Sequence, residues 1–277
     1  MRKTLIASAI IGALSVPAVV MAEDAAPAAA PAAAPAPSPF TGNFMIASEY
    51  LYRGIAQTRG KPALQGGFDY AHPSGFYVGT WGSNISWISD AVPGASASLE
   101  LDVYGGYKGT AGPIGYDVGV LTYNYPGTGK PTGNAKPETT EVYGALTWEW
   151  LTVKYSHTTT SLFGWTKPDG SKTTGSGYLE ANATYDLGDG WGVNGHIGHQ
   201  KVKGLSDASY SDYKVGATKD VGIGVIGAAV VGTNAKDSCS GSAPSSASDL
   251  YCFVNNNGSS GYSSGKTRLL LTFGKTF

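Results

Sequence analysis

From Phe40 onward, apolar and polar residues alternate with a period of two, segment after segment, with no stretch of helical periodicity. In LELDVYGGYKG, Leu99, Leu101, Val103 and Tyr107 fall on one side and Glu100, Asp102 and Lys108 on the other. In TEVYGALTWEW, Val142, Leu146 and Trp148 alternate with Glu141, Thr147 and Glu149. In FYVGTWGSNISW, Tyr77, Trp81, Ile85 and Trp87 share one side, and Thr80, Asn84 and Ser86 the other. The pattern predicts twelve strands, at 42–53, 62–72, 76–87, 96–108, 113–125, 139–149, 151–160, 177–187, 190–201, 210–219, 221–233 and 265–277.

The connections alternate in length. HPSG, GTAGP, EWL, LGDG and KDV are tight; GIAQTRGK, ISDAVPGA, PGTGKPTGNAKPE, GWTKPDGSKTTGSG, VKGLSDAS and the stretch 234–264 are longer. Period-two alternation by itself fits a soluble barrel with an apolar interior as well as a membrane barrel with an apolar exterior. Short turns at one end and long loops at the other are the habit of the membrane barrel. The closing KTRLLLTFGKTF, with Leu269, Leu271 and Phe273 two apart and a final Phe277, looks like the terminal strand by which such barrels are recognised for insertion. That strand is expected to pair with the first, because an open edge would leave backbone N–H and C=O groups unpaired in hydrocarbon. The fold class expected is therefore all-β, a transmembrane antiparallel β-barrel of about twelve strands. Its oily residues, Trp81, Leu101 and Leu271 among them, are expected to face lipid, and Glu100 and Asp102 the interior.

The beginning of the chain reads differently. Arg2 and Lys3, an apolar run over Leu5–Val20, and Val20-Met21-Ala22 have the layout of a signal peptide, 1–22. An Ala/Pro-rich spacer over 23–39 follows, with no face to bury, and 40–277 is assigned to the barrel. The expected location is the outer membrane of a Gram-negative bacterium, with outer-membrane lipid, lipopolysaccharide and the barrel-assembly machinery as partners. Charged residues make up 14%, the formal net charge is −1, and there is no basic run, which argues against a nucleic-acid partner. No Gly-rich loop leads from a strand into a helix, so no nucleotide cofactor is expected.

Three stretches, IASEYLYRGIAQTRGKPALQGGFDYAHPSGFYVGTWGSNISW (46–87), LELDVYGGYKG (99–109) and LLLTFGKTF (269–277), resemble the bacterial outer-membrane family known as the TorF family of porins, formerly a conserved hypothetical group. The Arg-Gly after the first strand, the Gln-Gly-Gly-Phe-Asp-Tyr block and the Trp-Gly-Ser-Asn block carry the resemblance most specifically. It implies a porin-like channel for passive diffusion of small hydrophilic solutes or ions, which needs no catalytic residue and no cofactor.

The polar faces supply candidate pore-lining residues. The acids are Glu49, Asp69, Glu100, Asp102, Asp117, Glu141, Glu149, Glu180, Asp186 and Asp212; the bases are Arg53, Lys108, Lys154, Lys214, Lys266 and Arg268. The excess of acids suggests a mild cation preference. The same charges would serve equally well as paired cross-links in a plugged, structural or surface-displaying barrel. Arg53 and Arg59 flank the first long loop, either shaping it by hydrogen bonds or meeting an anionic solute or lipopolysaccharide phosphate. Long loops 126–138 and 234–264 are expected to fold inward and set the pore width. Cys239 and Cys252, the two cysteines, are expected to form a disulfide in an oxidising compartment. An outer-membrane hydrolase is a weaker alternative: His157 and Ser161 share a face too far apart along a strand to hydrogen-bond. His196 and His199 should point to opposite faces, a poor start for a metal site. A soluble periplasmic barrel around an apolar ligand is the remaining alternative.

Overall fold

In a computed structural model of the chain, residues 38–91, 95–129, 136–240, 243–244, 249–254 and 261–277 are described. The expected signal peptide and nearly all of the spacer lie outside them. Twelve antiparallel strands close into one barrel. They are β1 (Phe40–Ala47), β2 (Ala63–Ala71), β3 (Phe76–Asn84), β4 (Leu99–Ala111), β5 (Ile114–Asn124), β6 (Thr139–Trp148), β7 (Leu151–Thr158), β8 (Gly177–Gly188), β9 (Trp191–Lys201), β10 (Tyr210–Asp220), β11 (Val225–Thr233) and β12 (Arg268–Thr276). Each strand pairs with its neighbours in sequence, and β12 returns to β1 with Asn43 opposite Thr276 and Ala47 opposite Thr272. Gly42 and Phe277 exchange both backbone hydrogen bonds, at 2.8 and 2.9 Å, and complete the seam. No strand edge of the barrel is left open, the condition for a β structure in hydrocarbon.

The faces are inverted relative to a soluble protein. Leu64, Phe68, Val78, Leu101, Val118, Val120, Leu146, Val153, Leu179, Ile197, Val215, Val230, Leu269 and Leu271 are exposed on the outside. Glu100, Asp102, Asp117, Glu141 and Asp212 are buried within. A continuous apolar wall around a charged interior belongs to a barrel solvated by lipid. Among the described residues no helix is long and apolar enough to cross a membrane; the crossing is made by strands.

The tight turns sit at one end. In one of them Asp189 and Gly190 are both left-handed, at φ 51° and 75°, the type I′ geometry that matches strand twist across a two-residue connection. The opposite end carries the long connections.

One strand departs from the expected facing. On β3 the outward residues are Phe76, Val78 and Thr80, whereas Tyr77 and Trp81 are buried inside, with Ile85 and Trp87 beyond the strand end. Register decides this: Trp81 stands opposite Gly67 on β2 and Asp102 on β4, and Asp102 is wholly buried. Outward Thr80 satisfies its hydroxyl on the Asp102 carbonyl at 2.9 Å. The inward ring of Trp81 packs edge-on against Tyr50 at 5.4 Å. Both faces of this strand are largely apolar, so alternation could not say which one was which.

A second departure places the site. The first strand ends at Ala47, not at 53, and the following chain turns into the barrel instead of rising from it. Leu51–Tyr52 and Ile55–Ala56 form a small hairpin of their own, with all four residues buried. A twelve-stranded barrel has more interior than its own inward side chains fill; here the hairpin takes up part of it.

Candidate functional site

The hairpin turns on Arg53 and Gly54, both left-handed at φ 46° and 78°. Gly is at home there, but Arg is not, and a left-handed non-Gly residue persists only where its surroundings hold it. The guanidinium is what holds it. Arg53 Nη2 and Nη1 donate to Glu141 Oε2 and Oε1 at 2.8 and 3.1 Å, and Nη1 also donates to Gln200 Oε1 at 2.7 Å. The same group lies 4.1 Å from the Tyr178 ring centroid and 4.8 Å from that of Tyr52. Planarity, a forked donor set and weak hydration suit Arg to this bidentate, ring-stacked position. The tip thus reaches from β1 to β6, β8 and β9 across the outer half of the barrel, beneath the long loops.

The base of the hairpin is tied as well. Glu49 accepts from the Gly60 amide at 2.5 Å and the Tyr262 hydroxyl at 2.8 Å. Its carboxylate pairs with Arg268 at 3.4 Å. Arg59, on the same connection, pairs with Asp90 at 3.6 Å.

Two cavities flank the tip. The outer one, about 340 Å³, is lined by Tyr52, Ile55, Gln57, Trp87, Glu100, Tyr125, Phe163, Trp165, Gln200, Tyr210, Tyr251 and Phe253, among others. Burial, ahead of the charge of Glu100, holds the Tyr125 hydroxyl well above its ordinary pKa, so it remains a hydrogen-bond donor to that carboxylate. The inner cavity, about 150 Å³, runs from Arg53 and Gly54 past Lys154, Glu180, His196, Asp212 and Lys214 to Val225 and Thr276 near the tight-turn end. It follows β8–β12 and β1, where inward positions are small: Gly227, Ala229, Thr218, Thr272 and Gly274. Tyr52 borders both spaces.

The inner walls carry two polar networks. On one, His196 Nε2 meets Asp212 Oδ1 at 2.8 Å and Nδ1 meets Asn182 Oδ1 at 2.7 Å, while Asn182 donates to Glu180 at 2.8 Å. The Tyr178 hydroxyl donates to Asp212 at 2.9 Å. On the other, Tyr77 donates to Asp117 at 2.6 Å and Tyr104 to Asp69 at 2.6 Å, and Tyr77 and Tyr143 share a hydroxyl contact. Lys154 lies over the Tyr143 ring at 4.3 Å.

Of the residues singled out in the sequence, Asp69, Glu100, Asp102, Asp117, Glu141, Lys154, Glu180, Lys214 and Arg268 take inward strand positions, and Glu49 sits on the buried hairpin base. Lys266 does not line the interior: β12 begins at Arg268, and Lys266 stands exposed in the loop before it. Glu149 falls in a tight turn, with φ 50°, and Asp186 is exposed at the same end. Cys239 and Cys252 are bonded, with Cα atoms 5.4 Å apart. His196 points in, and His199 faces out toward Ser211. His157 meets the Tyr155 hydroxyl, and Ser161 donates to the Trp165 carbonyl. The hairpin itself was missed. Its signal is a two-residue Arg-Gly between Leu51-Tyr52 and Ile55-Ala56, readable as a tight turn but divided between a strand ending at Arg53 and a loop beginning at Gly54. Loop 48–62 therefore enters the interior, with its hairpin buried. Of 126–138 and 234–264, expected to lead, the described parts put Pro137, Leu250, Tyr251 and Phe253 around the outer cavity.

Among solved structures, the chain is similar to a KdgM porin at 9% identity, covering 86% of this chain and 98% of that one, with a TM-score of 0.46. It is similar to a NanC porin at 8% identity over 86% and 98%, with a TM-score of 0.47. Pseudomonas aeruginosa OprD matches at 12% identity over 86% and 66%, with a TM-score of 0.36. No curated protein matches the chain. The model of one bacterial family, described as a bacterial protein of unknown function (Gcw_chp), matches residues 31–256, most of the chain, and the protein belongs to that family.

Proposed function

We propose that this protein is an outer-membrane channel for passive diffusion of small hydrophilic solutes or ions, narrowed in its outer half by the Arg53 hairpin. One observation carries the reading: space lies on both sides of the hairpin tip, charged side chains line the inner part, and Arg53 at the tip is held by side-chain hydrogen bonds to Glu141 and Gln200. The apolar exterior suits the outer membrane, with its lipid and lipopolysaccharide as surroundings and the assembly machinery as route. The leader expected at 1–22 supplies export, and the resemblance to the TorF porins agrees. Inward carboxylates outnumber inward cations, which favours a mild cation preference.

The tightness of the Arg53–Glu141 contact favours a second reading, a barrel closed at rest that displays its loops. Purified protein inserted in a planar bilayer separates the two. Discrete conductance steps, with a reversal potential displaced toward cations in a salt gradient, are expected of the channel. Repeated insertion of folded barrels without steps would leave the closed barrel standing.

A further inference from the structure

The outer cavity has a chemical character of its own. Its walls are aromatic: Trp87 packs edge-on against Tyr125 at 5.4 Å and Phe163 at 6.0 Å, and Phe163 against Tyr52 at 5.5 Å. Phe163 is held left-handed at φ 47°, its amide bonded to Thr139 Oγ1 at 2.7 Å. Such strain is kept where the surroundings fix a side chain in place.

Among the described residues, the one charged side chain in this lining is Glu100. It is 2% exposed and is held by neutral hydroxyls, Tyr50 at 2.5 Å and Tyr125. Two residues along the same inward face, Asp102 is 0% exposed, and neither of its carboxylate oxygens has a hydrogen-bond partner. Among the described residues no cationic side chain pairs with either carboxylate; Arg53, close by, is committed to Glu141. A buried carboxyl without a counter-charge is costly to ionise, and a cation placed beside it favours the ionised form. The Trp87 indole N–H, 7% exposed as a residue, is likewise buried without a partner.

We propose that this cavity binds small organic ammonium compounds, with the cationic head over the aromatic faces beside Glu100. A cation held against ring faces is attracted by their quadrupoles, most strongly when desolvated, and here it also offsets the carboxylate charge. An unpartnered indole N–H remains for an oxygen on the ligand. An anion would find no positive group among the described residues of the lining. A neutral sugar would stack on the rings but leave the charge uncompensated. A bare divalent metal is not suited either: among the described residues no group of three or more acidic, His or Cys side chains converges on one point.

The proposal deepens the channel reading by naming a solute class; its role in transport rests on that reading, while binding does not. The test uses the full chain in detergent, with choline chloride as probe, read by tryptophan fluorescence and calorimetry. Comparison probes are 3,3-dimethylbutan-1-ol, which has the shape without the charge, and potassium chloride. Saturable choline binding is expected, about tenfold tighter than the neutral analogue and not displaced by equimolar potassium. Glu100→Gln should weaken it about tenfold, and so should Phe163→Leu, which keeps an apolar side chain while removing the ring. Phe163→Leu carries the test if Glu100→Gln fails to fold. Equal affinity for the two shapes, no binding by folded wild type, or unchanged binding in both variants would overturn the assignment. Conductance is recorded separately. Barrels that conduct but ignore choline reject this inference and keep the channel; barrels that bind choline without conducting keep the site and reject the channel.

Discussion

Arg53 occupies a conformation that costs about 1–3 kcal/mol for a side chain other than Gly, and it is repaid by one carboxylate, one amide and two rings. Its removal should act on two observables at once. Arg53→Ala leaves Glu141, 1% exposed, as a buried charge without its partner, and breaking such a pair costs roughly 3–5 kcal/mol. Unfolding should therefore shift to lower urea, while single-channel conductance rises and the reversal potential moves further toward cations, since a positive charge has left the constriction. Adding Glu141→Gln should recover much of the lost stability while the conductance stays high. If Arg53→Ala conducts like the wild type, the guanidinium does not set the aperture.

At the scale of elements, the inward hairpin sets this barrel apart from a plain cylinder, and its turn depends on Gly54. At φ 78° an L side chain is strained, and a Cβ there would collide with Thr233 and sit 2.9 Å from the Asp212 Cβ. Gly54→Val should unseat the tip. Its conductance should resemble that of Arg53→Ala, with a stability loss of about 1–3 kcal/mol, read by thermal unfolding in detergent. A Gly54→Val barrel with wild-type conductance would mean that the narrowing lies elsewhere. Gly198 is small for a related reason of space: a Cβ there would meet the Tyr178 hydroxyl, so the ring beneath Arg53 lies flat against β9 because its neighbour has no side chain.

The barrel as a whole depends on its inverted solvent. Val120 lies outward midway along β5, opposite Gly105 and Val142, and is 43% exposed. Val120→Arg should cost about 2–4 kcal/mol in a bilayer if that position lies near the midplane. The loss should appear as reduced folding into lipid vesicles, scored by the gel shift between folded and heated barrel. Leu121, the next residue, points inward and is 3% exposed within the aromatic core, so the two neighbours stand on opposite faces. Folding of Val120→Arg at the wild-type level would contradict a lipid-facing wall.

Period-two alternation indicated twelve strands and their order, and the alternating loop lengths, the leader-like start and the closing strand together indicated the facing of most of them. These properties are local: side chains on a strand alternate whatever surrounds it, and two residues suffice to specify a tight turn. Strand ends came within a few residues except at β1, where the chain that looked like a continuing strand bends into the interior. The facing of β3 was illegible because both of its faces are largely apolar. The site was partly legible. Glu100, Asp102, Glu141 and Arg268 could be assigned inward from their own strands. That Arg53 would meet Glu141 and Gln200, 88 and 147 residues away, and that Trp87, Phe163 and Tyr251 would gather around one cavity, could not. Those are meetings between distant segments, settled only when closure of the ring fixes which walls face one another and how much room is left between them.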